Sequence, residues 1–190
     1  KAVGAQLSID NTGVRTYCSF YKDNQMDGTT MIMNSDAGEI TLYTYRNNEK
    51  DGPAFKMANG KVAWSKQFKK GKDDPKGYVV NHDFDYEKKQ LQTLEGFTID
   101  KNKGSTAIGY FAYGRKAYPM IHVWDEGTSY YGQYIQGERK EFGVYFYENG
   151  DKYIGAWHKN AMEGLGFKVT KAGEVIEKGF YKSGKLILNL

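Results

Sequence analysis

The sequence predicts an all-β protein: an elongated antiparallel meander of stacked β-hairpins, with about eight copies of a unit of roughly 23 residues. Three observations predict it. A short pattern is written out twice between Tyr130 and Gly166 with an offset of 23 residues, and self-similarity at such a period marks a repeat architecture. Among 190 residues, 16 Tyr and 10 Phe stand beside 23 Gly and only 3 Pro, a composition that suits rings laid on glycines and argues against a helical bundle. Turn signals also recur at regular intervals between short alternating stretches.

In chain order, residues 1–16 carry little of the pattern and contain Asp10-Asn11-Thr12-Gly13, a turn. They read as an N-terminal cap or leading strand, because the end of a repeat stack has to hide an unpaired strand edge. Residues 17–185 hold the repeats. Each copy places an aromatic residue shortly before a turn: Tyr21 before Asn24, Tyr45 before Asn48, Phe68 before Gly71, Phe111 before Gly114. Gly38 and Gly60 fall where loops between copies belong. The copy at Tyr86, with Lys89 and Gly96, is the least regular, and in the copy at Phe111 the residues Tyr118 and Met120 replace a pair of glycines. Residues 186–190 read as a terminal strand, with a homodimer seam as the other reading. No stretch reads as a long helix and no linker divides the chain, so 1–190 is expected to be a single repeat domain.

The two clear copies define the unit. One reads Tyr130-x-Gly132-x-Tyr134-x-x-Gly137, then Phe142-Gly143; the other reads Tyr153-x-Gly155-x-Trp157-x-x-Asn160, then Gly164-Leu165-Gly166. Tyr153, Gly155 and Trp157 alternate with their neighbours and share one face of an extended strand. Asn160 suits the positive φ of a tight turn. The return strand is expected to begin at Gly164, and its bare backbone to lie under a Tyr or Trp ring. Gly179, Tyr181 and Gly184 begin one more copy.

This spacing resembles the membrane occupation and recognition nexus (MORN) repeat, whose pattern is Tyr-x-Gly-x-Trp-x-x-Gly-x-x-x-Gly-x-Gly. The resemblance covers most of the chain at the level of period and two copies at the level of motif. It implies a non-catalytic scaffold for protein association, with membrane attachment as the family's other use. Some enzymes carry such repeats ahead of a catalytic domain, and no such domain is visible in this sequence.

The residues offer little for catalysis. His82, His122 and His158 lie in different copies, and none has zinc-motif spacing. Cys18 is the single cysteine, so an internal disulfide is excluded, and a small hydrophobe is the ordinary reading of such a thiol. Carboxylates at Asp73-Asp74, Asp83, Asp85, Glu87 and Asp125-Glu126 read as solvated turns, lacking the spacing of a calcium loop. No phosphate-binding glycine motif occurs. No catalytic, metal or cofactor residue is therefore assigned, and no cofactor is expected.

The expected interaction patch is basic: Lys66, Phe68, Lys69, Lys70 and Lys72, with Lys76, Lys88 and Lys89 close in sequence. Aligned hairpin turns would gather these lysines on one side of the stack, where they suit a protein partner or an anionic membrane surface. Lysines at turns also serve simply to keep an edge-rich sheet soluble. Nucleic acid is not expected as a partner, since the net charge is only +4. Aromatic-glycine repeats also allow a surface carbohydrate or cell-wall binder as a third reading. No apolar run is long enough to span a membrane as a helix. The compartment stays open, the cytoplasm being slightly favoured, and an opening Lys1 is compatible with a removed signal peptide.

Overall fold

The computed structural model describes residues 6–9, 15–18, 21–22, 25–34, 37–59, 61–74, 80–81 and 96–190. Among them every regular element is a strand. The first half holds β1 (Gln6–Ile9), β2 (Arg15–Cys18), β3 (Tyr21–Lys22), β4 (Gln25–Met26), β5 (Gly28–Asn34), β6 (Glu39–Arg46), β7 (Glu49–Lys50), β8 (Gly52–Ala58), β9 (Lys61–Lys69) and β10 (Lys72–Asp73). The second holds β11 (Val80–Asn81), β12 (Gly96–Asn102), β13 (Ser105–Ala112), β14 (Arg115–Trp124), β15 (Ser129–Ile135), β16 (Glu138–Phe146), β17 (Lys152–His158), β18 (Ala161–Val169), β19 (Val175–Lys182) and β20 (Lys185–Asn189).

The strands form an N-terminal sheet in the order β1-β2-β5-β6-β8-β9-β10, with β7 added on β6, and a C-terminal sheet running from β11 to β20 in sequence order. The two-residue strands β3 and β4 pair with each other. Successive neighbours pair antiparallel, as hairpins must; β11 and β12, joined by a longer connection, pair in parallel. The meander is thus present in both sheets, and neither sheet closes into a barrel.

Tight turns explain the pairing. Asn47-Asn48, Lys70-Gly71, Tyr113-Gly114, Gln136-Gly137, Lys159-Asn160 and Ser183-Gly184 all have positive φ at both positions, the geometry of a type I′ turn, whose twist matches that of the strands it joins. The second residue is Gly or Asn in every case. Most of these turns also bond to the previous hairpin: Gly71 N–H donates to Lys50 O at 2.8 Å, Gly137 N–H to Lys116 O at 2.8 Å and Asn160 N–H to Arg139 O at 3.1 Å. The return strand after Asn160 begins at Ala161 rather than at Gly164, because a two-residue turn leaves no slack for a longer loop.

The two sheets do not follow one another in a single row. They lie against each other through a shared core, in which Met31, Leu42 and Phe55 from the N-terminal sheet meet Phe97, Ile121, Phe142, Val144 and Ile154 from the C-terminal sheet. Phe55 and Phe97 meet edge to face with ring centres 5.4 Å apart. Strand alternation gives each sheet an apolar inner face, and closing these two faces on each other removes both from water, at about 1.5–3 kcal/mol for each large side chain buried. Polar contacts fix the docking: Thr29 donates its hydroxyl proton to Gln133 Oε1 at 2.6 Å, both side chains being buried, and Tyr110 O–H donates to Lys66 O at 3.0 Å.

Candidate functional site

The motif glycines fall in one line across the C-terminal sheet. Register pairs Thr98 with Gly109, then Met120, Gly132, Gly143, Gly155, Gly166 and Gly179, each on the next strand. A Cβ at Gly143 would run into the ring of Tyr130, and one at Gly166 into the ring of Tyr153. Each ring thus covers a pair of glycines, Gly132 with Gly143 and Gly155 with Gly166, as expected. The hydroxyls then reach backbone: Tyr130 O–H donates to Gln133 O and Tyr153 O–H to Ala156 O, both at 3.1 Å.

The two glycines of Gly164-Leu165-Gly166 serve different ends. Gly166 leaves room for the ring, whereas Gly164 sits in a bulge with φ +87° and only Ala156 Cβ near it, at 3.4 Å. Tyr118 and Glu141 hold the same bulge in the two preceding copies, with φ 60° and 59°. Met120 is accommodated in the glycine line because Ala107 stands where the next two copies have Tyr130 and Tyr153, and the Met120 sulfur covers Gly109 instead.

Above this line lies a second cluster, on the face of the C-terminal sheet turned away from the shared core. Phe111, Tyr134, Trp157 and Tyr181, the aromatics that precede the turns, are all buried in it, with Tyr130 and Tyr153 between them. Tyr153 meets Trp157 and Tyr181 edge to face at 5.4 and 5.0 Å. Such pairs add about 0.5–1.5 kcal/mol beyond burial. Trp124, Tyr145, Tyr147, Met162 and Leu186 are partly buried around the rim, and every one of these residues belongs to the C-terminal sheet or its turns.

Arg139 projects into this face. Its guanidinium carbon lies 4.5 Å from the Trp157 ring centre, 5.5 Å from Tyr130, 5.6 Å from Tyr145 and 5.8 Å from Trp124, and it donates one hydrogen bond to Asn160 O at 3.0 Å. Beside it, the His122 ring lies 4.1 Å from Trp124. His122 Nδ1 is 3.0 Å from Tyr134 Oη, and Lys116 Nζ is 3.3 Å from both ring nitrogens. Burial, then the charges of Lys116 and Arg139, push the imidazole down to about 3, so it is neutral near pH 7. Burial lowers Lys116 as well, against the pull of Asp100.

The basic patch is only partly assembled. Lys66 pairs with Asp73 at 2.7 Å and Lys69 with Asp51 at 3.4 Å. Lys70 and Lys72 stand exposed at the turn between β9 and β10. The Phe68 ring packs edge to face on Tyr43 at 6.0 Å, beside Trp64, and Lys50 sits 3.9 Å above the Tyr43 ring. Lys76, Lys88 and Lys89 lie outside the described residues, as does the copy centred on Tyr86. Carboxylates from the neighbouring turn and strand thus offset two of the patch cations, and Lys50, which sequence clustering missed, joins the group through the turn-to-turn contact at Gly71.

The chain matches no family model and no curated protein. The site therefore rests on its own geometry. Sequence reasoning passed over Arg139, Lys116 and the pairing of His122 with Tyr134, because these come from different copies and only strand register brings them together. One signal was available: His122 lies two residues beyond Met120, hence on the same strand face as the glycine line.

Proposed function

We propose that this chain is a non-catalytic, MORN-like repeat scaffold that binds protein partners. What supports the reading is the aromatic outer face of the C-terminal sheet, where Trp124, Tyr145 and Tyr147 remain half-buried beside Arg139. Trp, Tyr and Arg are the side chains that dominate the centres of protein interfaces, since they bury large area with few rotors. Pairing of Lys66 and Lys69 with carboxylates weakens a purely electrostatic alternative. A second reading, attachment to anionic lipid, draws on the exposed Lys70 and Lys72 at one turn.

One experiment separates the two. The tagged protein is incubated with soluble and membrane fractions of its source cell at low and high salt, beside a Trp124→Ala/Tyr145→Ala variant and a Lys70→Glu/Lys72→Glu variant. The scaffold reading expects discrete soluble proteins that survive high salt and are lost with the aromatic variant alone. Capture by membranes only, lost as salt rises and lost with the lysine variant, would transfer the function to the basic turn.

A further inference from the structure

We propose that Lys116 and Arg139 form an oxyanion-binding site on the outer face of the C-terminal sheet, taking the carboxylate or phosphate group of a ligand whose body lies on Trp124. The site shares Trp124 and Arg139 with the face used in the scaffold reading, but its test is anion binding and does not depend on a protein partner. Its parts are brought together by register: Lys116 and His122 on β14, Tyr134 on β15 and Arg139 on β16 are consecutive neighbours in the sheet.

Charge and hydrogen bonding point to an anion. Both cations are half-buried, and among the described residues neither forms an ion pair with a carboxylate. Cations withdrawn from water ordinarily have such a partner, since desolvation without one is costly. Asp100, itself buried, attracts Lys116 through space; Arg139 meets aromatic rings and the Asn160 carbonyl, and among the described residues no carboxylate within ion-pair distance. Lys116 Nζ has three donors and its contact is the His122 ring; Arg139 has five, of which one goes to the Asn160 carbonyl.

The surroundings fit the same ligand. Rings on several sides hold the guanidinium plane in place, so little side-chain entropy is lost when it binds. His122 is held between Tyr134 and Lys116 and is uncharged near neutral pH, so it adds no repulsion between the cations. Trp124, stacked on His122, supplies a flat apolar wall beside the charges. An oxyanion with one oxygen toward Lys116 and one toward Arg139 would gain charge-assisted bonds at both.

The test uses the full chain labelled with nitrogen-15. Inorganic phosphate and acetate are titrated separately at constant ionic strength, following the indole N–H of Trp124 and the Nε–H of Arg139. The expected result is a saturable shift of both signals with at least one anion, weakened at least tenfold in Lys116→Met and unchanged in Lys159→Met, an exposed lysine at the neighbouring turn. Saturation by phosphate alone assigns a phosphorylated ligand; saturation by acetate alone assigns a carboxylate. If Lys116→Met does not fold, Arg139→Lys, which keeps the charge and loses the planar fork, must show the same weakening. Shifts that never saturate, or equal binding by wild type and variant, overturn the proposal.

Discussion

At the scale of single residues, the two kinds of glycine in the repeat fail for different reasons. Gly143 has ordinary φ and no room, because the Tyr130 ring occupies the space a Cβ would take. Gly137 has room and an unusual backbone: nothing lies within 4 Å of its missing Cβ, but its φ is +86°. Gly143→Ala must displace a fully buried ring and is expected to cost about 1–3 kcal/mol, the usual range for overpacking. Gly137→Ala meets only the left-handed backbone penalty, about 1 kcal/mol. Urea unfolding followed by tryptophan fluorescence measures both. A further distinction is expected in the same experiment: trimming Tyr130 to Leu alongside Gly143→Ala recovers stability, whereas it does nothing for Gly137→Ala.

At the scale of the hairpin, the turn asparagine ties one unit to the one before. Asn160 accepts a hydrogen bond from Arg139 N–H through its side chain at 2.9 Å, and Asn48 accepts one from Met26 N–H at 2.7 Å. In each case the asparagine also tolerates positive φ, 68° and 66°. Asn160→Ala loses the acceptor and strains the turn, so a loss of about 2 kcal/mol is expected. Asn160→Gly keeps the backbone conformation and loses only the acceptor, about 1 kcal/mol. Equal losses in the two variants, measured by chemical denaturation, would show that the turn conformation contributes nothing to the difference. The neighbouring Arg139 carbonyl and guanidinium contacts to Asn160 make this turn the support of the proposed oxyanion site, so the same variants should also loosen Arg139.

At the scale of the molecule, the question is how the two sheets are coupled. The Thr29 hydroxyl and the Gln133 amide carbonyl meet in the core, with residue exposures of 1% and 8%. Removing one leaves the other without that bond in a site closed to water, a loss of about 1–3 kcal/mol. Thr29→Val and Gln133→Ala are each expected to lower the unfolding free energy, and the double variant to fall short of their sum by about 1 kcal/mol. Additive losses in this cycle would mean that the sheets dock without the bond. Rigid docking matters for function because the inner face of the C-terminal sheet is then committed to the core, leaving the outer face as its aromatic surface.

Among the described residues, the sequence by itself determined the all-β class, the antiparallel hairpins, the turns at Asn48, Gly71, Gly114, Gly137, Asn160 and Gly184, and the rings lying over Gly143 and Gly166. These are local: alternation puts Tyr153, Gly155 and Trp157 on one face, and Gly or Asn two or three residues later permits the turn. Tertiary structure alone decided that the N-terminal strands fold back over the C-terminal sheet, since a repeat period says which face is apolar and nothing about what will cover it. It also decided the site. Lys116, His122, Tyr134 and Arg139 span 24 residues from first to last and show no motif, because their meeting depends on bulges that shift the register, as between Gly132 and Tyr134, a displacement that changes which side chains face each other. The lysines near Phe68 were visible as a cluster, but their partners depend on pairing: Asp73 meets Lys66 across the β9-β10 hairpin, and Asp51 meets Lys69 from the neighbouring turn.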